Sequence, residues 1–176
     1  MIKSLKSFKY FTPFVLYILA LLSFNGNGLI CWTPLLYTFF LIPFVELFIK
    51  ADRQNLDEVE EALAKKNKAY DFILYAAVIM QYYSLWVFFN SLKQEQVSTI
   101  DMIGRVLSMG LLCGAFGINV AHELGHRVNK TEQTFAKLLL LTSLYMHFFI
   151  EHNKGHHKHV ATPHDPSTAK YNQTVY

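Results

Sequence analysis

The chain has 176 residues, of which 52% are hydrophobic and 16% are charged. Soluble domains carry roughly 25% charged residues, so this composition excludes an ordinary soluble domain. The formal net charge of +3 is too small to indicate a nucleic-acid-binding protein. Cys31 and Cys113 lie apart in apolar blocks without C-x-x-C spacing, which indicates neither a disulfide framework nor an iron–sulfur site. Residues 1–176 are predicted to form one all-α unit in a membrane.

Apolar blocks predict four transmembrane helices, at residues 10–24, 29–49, 70–92 and 100–121. A crossing needs about 20 apolar residues. The first block follows a basic leader, but no cleavage site of small residues comes after it, so we expect a retained membrane helix rather than a signal peptide. Asn25 to Gly28 form a turn, and the charged residues 51–69 form a surface connector. Gly110 and Gly114, in G-x-x-x-G spacing and with Gly104 and Gly117 nearby, predict close helix packing beneath the site.

The basic residues are distributed unevenly between the two sides of the predicted bundle. Four spans leave only Lys93 and Arg105 on one side and every other Lys and Arg on the opposite side. The positive-inside rule then places the N-terminus and the region after residue 121 in the cytoplasm. A fifth apolar segment, residues 135–150, is too short for another crossing and contains Lys137. We predict a re-entrant or interfacial helix that returns to the cytoplasmic face.

Five of the eight histidines form two boxes, H-E-L-G-H at residues 122–126 and H-N-K-G-H-H at residues 152–157. Neutral imidazole is the commonest side-chain ligand of transition metals. His122 and His126 are four residues apart, so on a helix both can reach one metal. His152 and His156 repeat this spacing, and His157 is predicted to reach a second metal. A tetrahedral zinc takes four ligands at most, so five histidines indicate two metals.

Four further residues are predicted to orient these ligands rather than to bind metal. Ligand histidines usually donate their second ring N–H to a carboxylate or another acceptor. Glu123 and Glu151 stand beside box histidines, His147 precedes Glu151 by four residues, and Asp165 follows the second box. No catalytic residue is predicted beyond the metal ligands.

The first box alone also fits the H-E-x-x-H signature of zinc proteases, in which Glu123 would be the general base. A protease needs one further ligand, whereas the second box supplies three histidines, so two metals are the favoured interpretation. A metal-binding remnant without catalytic activity is a further alternative.

At these motifs the chain resembles the integral-membrane alkane 1-monooxygenases, within the wider membrane fatty acid desaturase and hydroxylase group. The resemblance is carried by N-V-A-H-E-L-G-H-R at residues 119–127, F-F-I-E-H-N-K-G-H-H at 148–157, V-A-T-P at 160–163 and D-P at 165–166, and it extends to A-D-R-Q-N at 51–55. The tail after the second box separates this family from generic desaturases.

The resemblance implies a histidine-ligated site of two non-haem irons, held here by His122, His126, His152, His156 and His157. It implies O₂-dependent hydroxylation of medium-chain n-alkanes from the lipid bilayer to primary alcohols, at the bacterial inner membrane. Rubredoxin, reduced by an NAD(P)H-dependent reductase, would supply electrons. Basic residues near the boxes are expected to attract an acidic rubredoxin: Arg127, Lys130, Lys154 and Lys158.

The family's further histidine boxes, of the N-Y-x-E-H-Y-G and L-Q-R-H-x-D-H-H types, are absent from these 176 residues. Five ligands are too few for two irons. We therefore expect this chain to be the N-terminal part of a longer enzyme and to be inactive alone. A desaturase or another hydroxylase of the same group remains an alternative.

Overall fold

A computed structural model describes residues 13–49, 67–165 and 167–174 of the chain. Within these ranges the protein is entirely helical, with no strand. The start of the first predicted span and most of the predicted connector at residues 51–69 lie outside the described residues. The predicted all-α class is therefore confirmed for the part of the chain that can be tested.

Six helical segments follow one another in the described part of the chain. Helix α1 covers Val15–Asn25, α2 covers Gly28–Glu46, α3 covers Lys68–Ser91, α4 covers Thr99–Gly125, α5 covers Lys130–Thr142, and α6 covers residues 148–159. Three of them, α2, α3 and α4, are long and apolar enough to cross a membrane. The described part of α1 has 11 residues, so the four predicted crossings are confirmed only for the last three.

Three of these segments contain stretches of π-helix, in which the backbone bonds run from i to i+5 instead of i to i+4. They cover Tyr37–Leu41 in α2, Cys113–Ile118 in α4 and Glu151–His156 in α6. Isolated π turns inside α-helices are frequent at functional sites. Here one π turn directly precedes the first histidine box and another contains most of the second.

Two apolar clusters hold the bundle together. The first cluster joins α1, α3 and α4 through Tyr17, Phe24, Phe88 and Leu112. The second cluster packs Leu139 and Leu140 of α5 against Val78 of α3 and Leu124 of α4.

The ends of α1, α3 and α4 define two ends of the bundle. The histidine end contains residues 13–14, 68–75 and 120–127, and the opposite end contains residues 25–28, 91–94 and 98–105.

A buried arginine joins the loops at the opposite end. Arg105 is 1% exposed, and its Nη1 donates to Ser91 O at 2.9 Å and to Gln94 Oε1 at 3.0 Å. Its Nη2 donates to Gly26 O at 2.8 Å, across the bundle. The planar guanidinium therefore ties the α1–α2 turn and the α3–α4 turn to one helix.

A tight reversal separates α5 from α6 and differs from the predicted single helix over residues 135–150. Leu144 has φ of 55°, Tyr145 N donates to Leu140 O at 2.9 Å, and Leu144 N donates to Leu141 O at 3.1 Å. These bonds form a Schellman motif, whose left-handed residue is usually glycine. Because this residue is a leucine, the sequence carries no glycine signal for the helix end. The hairpin of α5 and α6 returns the second box to the first.

The prediction of close packing at Gly110 and Gly114 is wrong. A Cβ at either position would meet nothing within 4 Å, whereas a Cβ at Gly104 would lie 3.0 Å from Cys31 Cβ and 3.1 Å from Cys31 O. A Cβ at Gly117 would lie 3.2 Å from Thr142 Oγ1. The close approaches of α4 therefore occur near the opposite end against α2, and near the end of α5.

Replacing Gly104 by alanine should lower the thermal midpoint of unfolding in detergent, because the added methyl group presses on a backbone carbonyl. Overpacking costs about 1–3 kcal/mol. The matched control, Gly110→Ala on the same helix, adds a methyl group in open space and should leave the midpoint unchanged or slightly raised. Equal midpoints for the two variants would contradict the placement of this helix contact.

Candidate metal centre

Four ring nitrogens from the two histidine boxes converge at the histidine end. The Nε2 atom of His152 lies 2.7 Å from that of His122, 3.2 Å from that of His126 and 2.9 Å from that of His157. The Nε2 atoms of His122 and His126 lie 2.9 Å apart. All four potential ligand atoms fall within 4.8 Å of one another. His152 is thus the central member of the cluster.

The second box differs from the predicted i,i+4 arrangement because it lies in a π turn. The π segment Glu151–His156 brings residues five apart to one side of the helix, so His157 joins His152. His156 does not join this cluster and instead contacts Asp165. The expectation that His157 reaches away to a second metal therefore does not match the geometry, and His156 is the box residue left outside the cluster.

The electrostatics of the cluster favour neutral imidazoles. Burial and then the neighbouring imidazoles hold the pKa of His152 at about 4, and the same causes lower the pKa of His126. Both rings are therefore neutral at pH 7, the form that binds metal. A neutral imidazole has one N–H, so four nitrogens facing one centre cannot all satisfy each other by hydrogen bonds. A shared cation would satisfy all four, and the donor set fits a transition metal.

His156 is oriented by a buried carboxylate. Its Nδ1 lies 2.9 Å from Asp165 Oδ2, and the Asp165 side chain has 0% exposure. Asp165 also accepts hydrogen bonds from Ser167 N, at 2.9 Å, and from the Thr168 hydroxyl. The Thr168 bond is the main cause that holds the pKa of Asp165 below its ordinary value. A carboxylate on Nδ1 leaves Nε2 of His156 as the nitrogen available to a metal.

Replacing Asp165 by asparagine should loosen the loop after α6, because the amide offers one acceptor oxygen where the carboxylate offers two. A hydrogen bond to a charged group contributes about 1.5–3 kcal/mol, so exchange of the Ser167 amide should accelerate by about tenfold or more. Hydrogen exchange followed by mass spectrometry of peptides across residues 160–170 measures this. Thr168→Ala, which removes one partner only, should have the smaller effect, and unchanged exchange in both variants would contradict the anchoring role of Asp165.

Glu123 was expected to orient a box histidine, but it pairs with Arg127 instead. Its Oε1 accepts from Arg127 Nη2 at 3.2 Å, and Arg127 Nη1 donates to Asp71 Oδ1 at 2.9 Å on α3. Glu132 on α5 lies 3.6 Å from the same guanidinium and accepts from the Tyr75 hydroxyl at 2.7 Å. Arg127 is therefore neutralised by three carboxylates and does not belong to an exposed basic patch. No hydrogen bond joins Glu123 to a box histidine within the described residues.

The other expected orienting residues also lie apart from the cluster. His147 Nε2 is 4.0 Å from Glu151 Oε2, and both side chains are more than half exposed. His159 and His164, which were not expected to orient ligands, contact each other edge-on, with ring centroids 6.3 Å apart. The sequence reading missed one neighbour, Phe148, whose ring stacks on His152 at 4.8 Å with an interplanar angle of 17°. An aromatic residue four positions before a box histidine was the available signal.

The amino-acid sequence is similar to those of several known proteins with the same name. The chain is 33% identical to alkane 1-monooxygenase from Ectopseudomonas oleovorans over 86% of its own length and 38% of that protein. It is 32% identical to alkane 1-monooxygenase 1 from Alcanivorax borkumensis over 77% of its own length and 33% of that protein. Over most of its own length the chain is therefore similar to the alkane 1-monooxygenases.

A second comparison agrees at a coarser level. Residues 102–176 match the family described as fatty acid desaturase, and this range includes both histidine boxes. The chain spans little more than a third of the length of the alkane monooxygenases it matches. Three helices that are long and apolar enough to cross a bilayer indicate a multi-pass membrane protein.

Proposed function

We propose that the chain forms part of a histidine-ligated di-iron centre that hydroxylates medium-chain n-alkanes to primary alcohols. The observation that carries the proposal is the convergence of His122, His126, His152 and His157 from two boxes. His156, held at Nδ1 by Asp165, is the proposed fifth ligand. When bound, the iron pair would supply O₂ activation, and the protein residues would hold and orient it.

The surroundings of the cluster support a lipid-dissolved substrate. The imidazoles lie at the ends of α4 and α6, next to helices whose apolar faces suit a bilayer. An alkane dissolved in the membrane can reach such a centre sideways, while a soluble electron donor reaches it from the aqueous side. We propose a rubredoxin with its NAD(P)H-dependent reductase as that donor, and the cytoplasmic face of the bacterial inner membrane as the location of the centre. The hairpin of α5 and α6 is the proposed re-entrant element.

Electron-donor docking would depend on Lys130, Lys154 and Lys158 more than on Arg127. The three lysines are exposed, whereas Arg127 is paired with carboxylates. Charge reversal at the lysines should reduce the salt dependence of donor turnover, and the same change at Arg127 should instead disturb the helix ends.

Two alternatives make different demands on the same residues. A desaturase of the same group would use the same boxes on an acyl chain, which the match at residues 102–176 supports. A zinc protease would need Glu123 directed at a metal-bound water, but Glu123 is bonded to Arg127, and the four imidazoles would leave a tetrahedral zinc no position for water. The geometry therefore counts against the protease.

A chimaera tests the proposal. The chain is 32% identical over 152 residues to alkane 1-monooxygenase from Pseudomonas putida, and in the chimaera it replaces the aligned segment of that enzyme. We expect the chimaera to bind iron and to form 1-octanol from octane with rubredoxin and reductase, and a His152→Ala chimaera to do neither. His164→Ala is the matched control. An iron-loaded chimaera that forms no alcohol would contradict the proposal.

The 176-residue chain itself is expected to form no alcohol under the same conditions, because five histidines do not complete the ligands of two irons. Alcohol formation by the purified chain would show that its own residues suffice.

A further inference from the structure

A cavity separate from the histidine cluster lies between α1, α3 and α4 at the histidine end. Its volume is about 530 Å³, within the range of about 300–1,000 Å³ typical of ligand sites. Among the described residues no histidine lines it, and its walls are mainly apolar, with Ile73, Leu74, Ala77, Ala115, Phe116 and Val120 among the lining residues. The cavity therefore suits a hydrocarbon chain.

The mouth of this cavity is polar and carries more negative than positive charge. Asp71, Glu123 and Arg127 stand at the rim, together with the Asn67 amide. Arg127 directs its guanidinium at Asp71 and Glu123, at 2.9 and 3.2 Å, with Glu132 3.6 Å away. The guanidinium is thus already neutralised, while the side chain of Glu123 remains 57% exposed. Three carboxylates share one guanidinium, so an anionic headgroup would be repelled by the excess negative charge, whereas a cationic N–H donor would be attracted to it.

The depth of the cavity agrees with the position of a lipid. Its rim lies where α3 begins and α4 ends, so it stands at the membrane surface if these helices span the bilayer. From Asp71 to Ala77 the wall descends about 9 Å along α3. A chain that enters here would keep its headgroup at the surface and its methylene groups among the helices.

We propose that this cavity binds one acyl chain of an ethanolamine phospholipid, with the ammonium group at the carboxylates of Asp71 and Glu123. The ammonium donates charge-assisted hydrogen bonds that a quaternary choline group cannot donate. The bound chain would fill the space between α1, α3 and α4. This inference does not depend on the metal centre or on the reaction.

Native mass spectrometry of the full chain tests the proposal. The protein is released from micelles that contain equal amounts of phosphatidylethanolamine, phosphatidylcholine and phosphatidylglycerol of matched chains. We expect one retained lipid, with phosphatidylethanolamine retained about tenfold more than either competitor, which corresponds to about 1.4 kcal/mol. Equal retention of the three lipids, or a preference for phosphatidylglycerol or phosphatidylcholine, would overturn the assignment of the headgroup.

Two variants separate the headgroup from the chain. Asp71→Asn should remove most of the preference for ethanolamine, since one rim carboxylate is lost and Arg127 gains free donors. Ala115→Leu should weaken retention of all three lipids by narrowing the cavity, whereas Gly114→Leu, one position earlier on the same π turn, points into open space and should leave retention unchanged. Circular dichroism establishes that each variant is helical. Undiminished retention by helical Ala115→Leu protein would exclude this cavity as the site.

Discussion

Replacing His152 by alanine should abolish tight metal binding by this chain, with an effect larger than that of any other single histidine. The Nε2 atom of His152 lies within 3.2 Å of those of His122, His126 and His157, so its loss removes the residue that all three share. Loss of an outer-shell partner of a metal ligand already costs about 10- to 100-fold in affinity, and loss of a central ligand should cost more.

Cobalt(II) titration of the purified chain measures this effect, because the visible absorption of tetrahedral cobalt reports the site itself. The surface residue His164 provides the matched control, and His164→Ala should bind as the wild type does. His156→Ala should also leave this first site nearly intact, since His156 contacts Asp165 and lies outside the four-nitrogen cluster. Tight tetrahedral binding by His152→Ala protein would show that the four rings do not form one site.

The second large effect is expected at the other end of the bundle. Arg105→Ala would leave Gly26 O and Ser91 O without their buried donor, and both loops would lose their common anchor. A buried carbonyl oxygen left without a donor costs about 1–3 kcal/mol, so the loss at both carbonyls should cost about 2–6 kcal/mol. Arg105→Lys should recover only part of this loss, because an ammonium group cannot form the parallel hydrogen bonds of a guanidinium.

Unfolding of the detergent-solubilised chain in a denaturant series measures the cost. Lys93→Ala is the matched control, since Lys93 is an exposed base near the same end of the bundle and should have little effect. If Arg105→Ala protein unfolds at the wild-type denaturant concentration, the arginine does not hold these loops together.

The sequence predicted those features of the fold that depend on regular periodicity. Continuous apolar blocks located α2, α3 and α4, and the i,i+4 spacing of His122 and His126 predicted that both rings face one way, as they do. The uneven distribution of Lys and Arg along the chain likewise predicted that Lys93 and Arg105 lie at the end of the bundle opposite the histidine boxes. Each of these inferences uses one regular helix at a time.

The features that sequence reasoning missed depend on departures from regular helix. The π turn at Glu151–His156 exchanged His157 for His156, and the left-handed Leu144 ended α5 without a glycine. The glycine pair in G-x-x-x-G spacing faced open space, because contacts between helices depend on how the whole bundle packs. Glu123 bonds to Arg127 instead of to a histidine. The same arginine also bonds to Asp71, which lies 56 residues away along the chain, so the sequence near the first box does not reveal this contact.

The π turn at Cys113–Ile118 has a consequence for how the two boxes stay in phase. In a π turn one more residue is wound into about the same rotation as in an α turn, because the backbone bonds run from i to i+5. If all the residues of this stretch were wound as regular α-helix, His122 and His126 would be turned about 100° away from the second box. The wider turn therefore sets the direction in which the first box faces, so this stretch must keep its winding rather than the chemical identity of its side chains.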